Sequence, residues 1–176
     1  MKRLYAALAA STVAIGAWGG YAYTQLPDRL TRVIDGDTIV INGSTHVRLW
    51  GMDSPELAQT CQRPNQEFAG GMGWPCGKIA KQYLVSMFKP NDWLKCDKKD
   101  TDIYGRTVAV CWLNTPDGRH YDIGKSMVSF GMAVDWPKYS QGAYAADQAY
   151  ASEHKLGMWV GYFQMPWDWR QQHASK

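Results

Sequence analysis

Three short stretches of the sequence concentrate acidic residues and arginines. They are residues 35–38 (Asp-Gly-Asp-Thr), 48–56 (Arg-Leu-Trp-Gly-Met-Asp-Ser-Pro-Glu) and 102–106 (Asp-Ile-Tyr-Gly-Arg). Carboxylates bind hard cations, and a further carboxylate can act as a general base. Two arginines can hold a phosphate through paired N–H bonds. Together the stretches predict a site for metal-assisted attack on a phosphodiester.

The predicted cation ligands are the carboxylates of Asp37 and Asp53, which lie at the ends of neighbouring predicted strands. The backbone carbonyl of Ser54 can add an oxygen, since calcium accepts carbonyl ligands as well as carboxylates. Glu56, on a turn fixed by Pro55, can take a proton from an attacking water. Each acid taken alone is better explained by a turn or a helix start, and only the combination favours chemistry.

The two arginines lie at positions that suggest a role beyond surface charge. Arg48 lies within a predicted strand between Val47 and Leu49, so alternation places it on the opposite face from these two apolar residues. Arg106 follows the tight turn at Gly105. Plain surface charge is the alternative for both. If both arginines hold one phosphate, they would neutralise the charge that develops in the transition state.

The elements predicted to position these residues are mostly strands in the first two thirds of the chain. Asn42-Gly43, between two β-rich runs, is a strong signal for a tight hairpin. The predicted strands are residues 30–34, 38–41, 45–50, 92–97 and 106–113, with residues 98–105 connecting the last two.

Three helices are predicted from spacing and end signals. Apolar residues recur at helical spacing over residues 76–88, a short helix is capped by Asp122 and ends near Gly131, and a third spans residues 142–156 and stops at Gly157. Five strands with a helix between the third and fourth are typical of an OB-like barrel. We therefore predict an α+β fold, a five-stranded OB-like β-barrel with three α-helices. Such barrels often bind oligonucleotides, although the fold alone does not prove it.

The ordered set of motifs resembles the staphylococcal (micrococcal) nuclease family, also called thermonucleases, over about residues 30–159. Residues 35–38 are similar to the family's first metal-binding turn, and Arg48 stands five residues before Asp53 as in the family. Residues 53–56 have Asp-Ser-Pro-Glu where the family has Asp-Thr-Pro-Glu. Residues 102–106 have Asp-Ile-Tyr-Gly-Arg where the family has Asp-Lys-Tyr-Gly-Arg.

The resemblance implies a calcium-dependent nuclease, that is, a metal-dependent phosphodiesterase and endonuclease that hydrolyses DNA and RNA to 3′-phosphate products. The roles carried over by position are Asp37, Asp53 and the Ser54 carbonyl as Ca²⁺ ligands, Glu56 as general base, and Arg48 and Arg106 as ligands of the scissile phosphate.

Contacts to the rest of the nucleic acid follow less directly from the resemblance. Tyr104 is predicted to lie against a substrate phosphate or sugar. Tyr139 is predicted as the base-stacking residue, with Trp136 as the alternative. Ile103 replaces a lysine that touches substrate in the family, so we expect weaker substrate affinity.

The first 22 residues predict export. A cationic start, an uncharged Ala-rich run and a small-x-small ending at Ala22 are typical of a signal peptide. An uncleaved membrane anchor at residues 4–23 is the alternative. The domain is thus expected to be periplasmic or secreted, or anchored to the membrane outside the cytoplasm. The predicted organisation continues with a linker at 23–29, the nuclease-like domain at 30–160 and a C-terminal extension at 161–176.

The four cysteines suit an exported chain with disulfides, for which three connectivities exist. Proximity along the predicted elements favours Cys61–Cys76 and Cys96–Cys111. Metal binding by these thiols is the disfavoured alternative, because no Cys-x-x-Cys pair is present. The histidines also lack metal-ligand spacing, so zinc chemistry is not predicted; they are His46, His120, His154 and His173.

The charge of the chain supports no argument from bulk electrostatics. Without the leader's Lys2 and Arg3, 17 basic residues stand against 16 acidic ones, so any phosphate affinity must be local. The competing classes are a non-catalytic oligonucleotide-binding module and a structural exported domain, and both leave the acids and arginines unexplained. We predict a monomer. In the tail, Trp167 and Trp169 are expected to cover apolar surface, with partner docking as the alternative.

Overall fold

The computed structural model describes residues 27–64 and 73–173. The predicted leader and most of the predicted linker, residues 1–26, lie outside the described residues, as do residues 65–72 and 174–176. Within the described part of the chain, none of the helices has the length and apolar character that crossing a membrane requires.

A mixed sheet forms the body of the domain, and its main path runs in the order β1–β2–β3–β6–β5 with β7 beside β6. All its pairings are antiparallel except that of β3 with β6. The strands are β1 (Leu30–Val33), β2 (Thr38–Ile41), β3 (Thr45–Leu49), β5 (Trp93–Thr101), β6 (Thr107–Asn114) and β7 (His120–Asp122), and a separate pair is formed by β4 (Met52–Asp53) and β8 (Val134–Asp135).

The two edge strands of the five-stranded path, β1 and β5, are linked through the residues just before β1. Asp28 and Leu94 exchange backbone hydrogen bonds of 3.1 and 2.8 Å, so the chain just before β1 lies against β5. This contact and the strand order are consistent with the predicted α+β OB-like fold. The three short strands β4, β7 and β8 were not predicted, because two or three residues carry too little alternation to be recognised.

The hairpin between β2 and β3 forms as predicted. Asn42 and Gly43 have φ angles of 50° and 87°, which is the left-handed geometry of a two-residue hairpin turn. The resulting register pairs Thr38 with Arg48. Val47 and Leu49 are buried in the core while Arg48 points away from it, so the predicted alternation along β3 is confirmed.

The helices are α1 (Cys76–Ser86), α2 (Ile123–Ser129), α3 (Pro137–Ser140), α4 (Ala145–Glu153) and α5 (Pro166–His173), with a 3₁₀ helix at Gly157–Val160. The three predicted helices correspond to α1, α2 and α4. The carboxylate of Asp122 accepts a hydrogen bond from the Lys125 N–H at 3.0 Å and caps α2 as expected. The additional helices α3 and α5 are short and have little apolar periodicity.

The predicted connection at residues 98–105 is wrong in its first half. The ladder between β5 and β6 continues to the pair Thr101–Thr107. The last residues of β5 are polar and exposed, so hydrophobic alternation could not reveal them. The turn that carries Arg106 is consequently only five residues long, from Asp102 to Arg106.

Two buried clusters hold the domain together. The larger lies between the sheet, α1 and α2. The smaller is built on the disulfide Cys61–Cys76 with Val134 and Met158, and Trp167 of the tail packs against it. The second predicted disulfide, Cys96–Cys111, is also present. Trp167 therefore covers apolar surface as expected, whereas Trp169 stacks on the ring of His173 at 3.9 Å.

Candidate active site

The two acids predicted to bind a cation are buried next to each other and joined by one arginine. Asp37 directly precedes β2 and Asp53 ends β4. From Arg48, Nη1 donates to Asp37 Oδ1 at 2.8 Å and Nη2 donates to Asp53 Oδ1 at 2.7 Å. The pairing of β2 with β3 positions Asp37 and Arg48, and the pairing of β4 with β8 positions Asp53.

Arg106 reaches one of these two acids, Asp37, through a threonine. The hydroxyl of Thr38 donates to Asp37 Oδ1 at 2.9 Å and accepts from Arg106 Nη1 at 3.4 Å. Arg106 directly precedes β6, the strand that pairs in parallel with β3. Its Nε donates to Asp102 Oδ2 at 2.6 Å. The structure thus brings both predicted phosphate-binding arginines to one acidic cluster.

Ser54 and Glu56 follow on the turn after β4. The N–H of Ser54 donates to Asp37 Oδ2 at 3.3 Å, and its hydroxyl donates to the Met132 carbonyl at 3.0 Å. The side chain of Ser54 is therefore used within the fold, and the predicted ligand was its backbone carbonyl. Glu56 lies at the edge of the cluster, with its carboxylate about one third exposed.

The first turn of α1 holds the Glu56 backbone in place. A Cβ on Gly77 would meet the Glu56 carbonyl and Leu57 Cα, so the glycine allows the helix to pack directly on this turn. The buried Gln59 adds to the support. Its Oε1 accepts from the Glu56 N–H at 3.3 Å, and its Nε2 donates to the Gln164 carbonyl at 2.7 Å.

A third arginine, which was not predicted, lies in the cluster. Arg170 of α5 donates from Nη1 to Asp53 Oδ1 at 2.9 Å and to Glu56 Oε1 at 2.9 Å, and from Nη2 to Asp53 Oδ2 at 2.7 Å. It follows Asp53 by 117 residues. The only local signal was an arginine next to a Trp-rich segment, which does not indicate its partner.

An aromatic surface borders the arginines. The guanidinium carbons of Arg48 and Arg170 lie 5.7 and 5.4 Å from the ring centroid of Trp136, within the range of cation–π contacts. Trp167 stacks on Trp136 at 5.7 Å, and the predicted base-stacking residue Tyr139 meets it edge-on at 4.5 Å. Half of Tyr139 is exposed. Trp136, the alternative, is the residue that touches the arginines.

The predicted substrate contact Tyr104 is on the turn before β6. Its side chain is 78% exposed, and its ring lies 5.5 Å from the guanidinium carbon of Arg106. Ile103, where the family has a lysine, is also exposed. Both side chains are therefore available to a ligand bound beside Arg106.

Burial, with a smaller contribution from neighbouring negative charge, raises the pKa values of two acids in the cluster. Burial raises the pKa of Asp53 to about 6, against the lowering influence of Arg170 and Arg48 and with a further raising influence from Asp37. Burial and the neighbouring Asp37 likewise raise the pKa of Asp35 to about 6. Burial lowers the pKa of Arg170, but the carboxylates of Asp53 and Glu56 more than reverse this and raise it. Added positive charge near Asp35 and Asp53 would therefore stabilise their ionised forms.

The predicted cation ligands are oxygen donors, which suit a hard cation. Asp37 and Asp53 present only carboxylate oxygens, which calcium prefers. All four of these oxygens accept hydrogen bonds from protein groups, namely Thr38, Arg48, the Ser54 N–H and Arg170. Over residues 27–64 and 73–173, no three His, Cys, Asp or Glu side chains form a group that could hold a metal ion. The candidate site is thus two carboxylates with a backbone carbonyl.

Comparison with known proteins gives one family model, described as Staphylococcal nuclease homologue, which matches residues 46–161. The matched range includes Arg48, Asp53, Glu56 and Arg106. It leaves out Asp37 at one end and Arg170 at the other.

Individual relatives cover different shares of the chain. Succinoglycan biosynthesis protein ExoI of Rhizobium meliloti (strain 1021) is 33% identical over 72% of this chain, which spans 61% of that protein. Protein ParB of Escherichia coli is 32% identical over 100% of this chain and 94% of its own length. Thermonuclease of Staphylococcus intermedius is 37% identical over 47% of this chain and 46% of its own length. The chain thus spans less than two thirds of two of these three relatives.

Proposed function

Because the chain belongs to the staphylococcal nuclease family, we propose that it is a calcium-dependent nuclease that hydrolyses DNA and RNA outside the cytoplasm. The observation that carries the proposal is the meeting of Asp37, Asp53 and Glu56 with Arg48 and Arg106 in one cluster. A pure binding module has no need of buried acids beside a phosphate site, since acids repel the nucleic-acid backbone.

Arg48 and Arg106 hold the scissile phosphate in this proposal. Both guanidinium groups are already oriented by carboxylates, Arg48 by Asp37 and Asp53, and Arg106 by Asp102. Little ordering is therefore needed when a phosphate arrives. Because the negative charge on the phosphoryl oxygens increases in the transition state, preorganised donors stabilise that state more than the ground state.

Glu56 takes a proton from the attacking water. Its carboxylate is partly exposed, so water can reach it, while its backbone is held by Gly77 and Gln59. Asp37, Asp53 and the Ser54 carbonyl are the groups that would hold calcium. A bound calcium ion would supply Lewis-acid polarisation of a phosphate oxygen. Attack of the water oxygen forms a bond to phosphorus while the bond from phosphorus to the 5′ oxygen breaks. The leaving oxygen takes a proton from solvent, so the products are a 3′-phosphate and a 5′-hydroxyl.

Tyr104 and Tyr139 bind the parts of the substrate away from the scissile bond. Tyr104 lies beside Arg106 and suits a neighbouring phosphate or sugar. Tyr139 offers an exposed ring next to Trp136, and an aromatic ring can stack on any base. Such contacts do not select a base. The proposed contacts also do not require a 2′-hydroxyl, the group that distinguishes RNA from DNA, so we propose both as substrates.

Two disulfides in the structure support an oxidising compartment, so we place the protein in the periplasm or outside the cell. Retention on the membrane by residues 4–23 is the alternative. Fractionation of cells, followed by detection of the chain in the soluble and membrane fractions, separates the two. We further propose a monomer, which light scattering tests.

The activity is tested by hydrolysis of single-stranded DNA and of RNA by the purified protein, with calcium and with EGTA. We expect cleavage with calcium, little with EGTA, and a loss of at least about a hundredfold in Glu56→Gln. Arg119→Met, in an exposed ion pair with Asp117, is the control. Binding of DNA without cleavage would instead identify a binding module.

A further inference from the structure

Arg170 connects the proposed cation ligand to the proposed base, and it comes from the part of the chain that the family model does not match. Its guanidinium makes a two-oxygen contact with Asp53 and shares Nη1 with Glu56. A forked contact of this kind is among the strongest that a carboxylate makes with a side chain. The contact therefore occupies both oxygens of Asp53.

A divalent cation and Arg170 compete for the same oxygens. Nη2 of Arg170 lies 2.7 Å from Asp53 Oδ2, and the other oxygen of Asp53 accepts from both Arg48 and Arg170. Calcium binds carboxylate oxygens at about 2.3–2.6 Å, so it would take the space beside the oxygen that the guanidinium occupies. A calcium ion and the Arg170 guanidinium bound to the same carboxylate would also repel each other strongly in a buried site.

Of the two arginines on Asp53, Arg170 is the one able to leave. The side chain of Arg48 is 15% exposed and extends from a central strand of the sheet, whereas that of Arg170 is 31% exposed. Arg170 extends from α5, an eight-residue helix near the C-terminus. The helix is held independently by Trp167, which packs on the second cluster and on Trp136. The Arg170 side chain can therefore swing out while the helix stays in place.

We propose that Arg170 is a positioning residue of the site: it holds Asp53 and Glu56 together in the cation-free protein, and it must leave Asp53 when a divalent cation binds. This inference rests on the proposed function, since it assigns Asp53 to the cation. It adds a residue that stands in for the cation and sets the calcium concentration at which the site fills.

Calcium titration of the full-length protein by calorimetry, without nucleic acid, tests the inference. Arg170→Met keeps an unbranched stem over Trp136 and removes the positive charge. We expect it to bind calcium about tenfold more tightly than the parent, because no internal cation has to be displaced. Arg170→Lys keeps the charge without the fork, and its affinity should lie between the two. Arg119→Met should bind as the parent does.

Thermal unfolding with and without calcium gives a second measurement. If Arg170 had only a structural role, calcium would change the melting temperatures of the variant and the parent equally. Without calcium, Arg170→Met should melt below the parent, because Asp53 loses one of its two arginine partners and keeps only Arg48. With saturating calcium the deficit should shrink, since a ligand that binds the folded state more tightly stabilises it more. Arg119→Met should show equal calcium-induced shifts to the parent.

Calcium affinity in Arg170→Met that is equal to or weaker than that of the parent overturns the inference. Absence of calcium binding in both proteins also overturns it, because the vacated site would then have no affinity for the cation. The nuclease proposal is judged separately by the hydrolysis assay with the parent protein. Asp53→Asn should abolish calcium binding, and retained binding there would show that Asp53 is not a ligand and would also overturn the inference.

Discussion

Nε of Arg106 donates a 2.6 Å hydrogen bond to Oδ2 of Asp102, the residue four positions before it. The other oxygen of Asp102 accepts from the N–H groups of Tyr104 and Arg106, both at 2.9 Å. A single carboxylate therefore holds both the backbone of the turn and the arginine side chain. With Nε used in this bond, Nη1 of Arg106 is directed toward Thr38, whose hydroxyl in turn donates to Asp37.

Replacing Arg106 with alanine should lower nuclease activity by about a hundredfold or more, because one preorganised donor to the phosphate is lost. The fold should persist, since the side chain is partly exposed and contacts mainly Asp102. The check is the hydrolysis rate beside the melting temperature. Arg119→Ala is a matched control, because Arg119 also pairs with an aspartate in a turn. Parental rates in Arg106→Ala would remove Arg106 from the site.

Asp102→Asn should cost stability in a pH-dependent way. Burial raises the pKa of Asp102, but hydrogen bonds from Arg106 and the turn outweigh it, so the pKa lies below its ordinary value of 3.8. The folded protein then binds this proton more weakly than the unfolded chain does. The stabilisation by the carboxylate is complete above pH 3.8 and is lost as the pH falls through the depressed pKa.

The measurement is the free energy of unfolding of parent and Asp102→Asn in urea from pH 7 downward. The difference should be about 1 kcal/mol at pH 7, as for a partly exposed pair, and should narrow below pH 3.8. A difference that stays constant through the acid range would mean that the ion pair contributes nothing to stability.

Gly77→Ala should disturb the proposed base without touching its side chain. The added methyl group would meet the Glu56 carbonyl, so either α1 or the Glu56 turn must move. Overpacking of this kind costs about 1–3 kcal/mol. We expect a lower melting temperature and a hydrolysis rate reduced even at temperatures where the variant is fully folded. Lys78→Ala, at the next and exposed position of α1, should leave both unchanged.

The two disulfides offer a matched comparison, because each joins cysteines separated by 15 residues. Chain entropy predicts a similar loss of about 3 kcal/mol when either pair is replaced by alanine. The pairs differ in place: Cys76 begins α1 next to Gly77, whereas Cys96 and Cys111 face each other across β5 and β6.

Cys61→Ala with Cys76→Ala should therefore lower the hydrolysis rate as well as the stability, and Cys96→Ala with Cys111→Ala should lower stability alone. Urea unfolding and initial rates below the transition are the measurements. Equal rates in the two double variants would contradict the role of the first disulfide in supporting the Glu56 turn.

Short-range patterns in the sequence were enough to predict much of the barrel and part of the site. Alternation along residues 45–49 separated Arg48 from the core side chains, and Asn42-Gly43 specified the hairpin turn. Both are determined by neighbouring residues, because φ preferences and the two-residue period of a strand act within a few positions. The pairing of the cysteines likewise followed from elements adjacent in sequence.

The short strands and the end of β5 did not follow from the sequence, since they depend on partners. β4 and β8 are two residues each, and each is a strand only because the other lies beside it. Lys98, Asp100 and Thr101 pair with β6 while their side chains remain exposed to water. No apolar pattern marks such segments, because the backbone ladder, which is common to all sequences, provides the pairing.

By itself, the sequence determined the acids, the two arginines of the motifs and the strands and turns that carry them, because each depends on contacts within a short segment. Only the tertiary structure placed Arg170 on Asp53 and Glu56, and Trp136 beneath two guanidinium groups. The physical reason is that apolar burial determines where the tail packs. Trp167 docks on a cluster built from Cys61, Cys76, Val134 and Met158, and no local preference encodes a surface assembled from such distant segments.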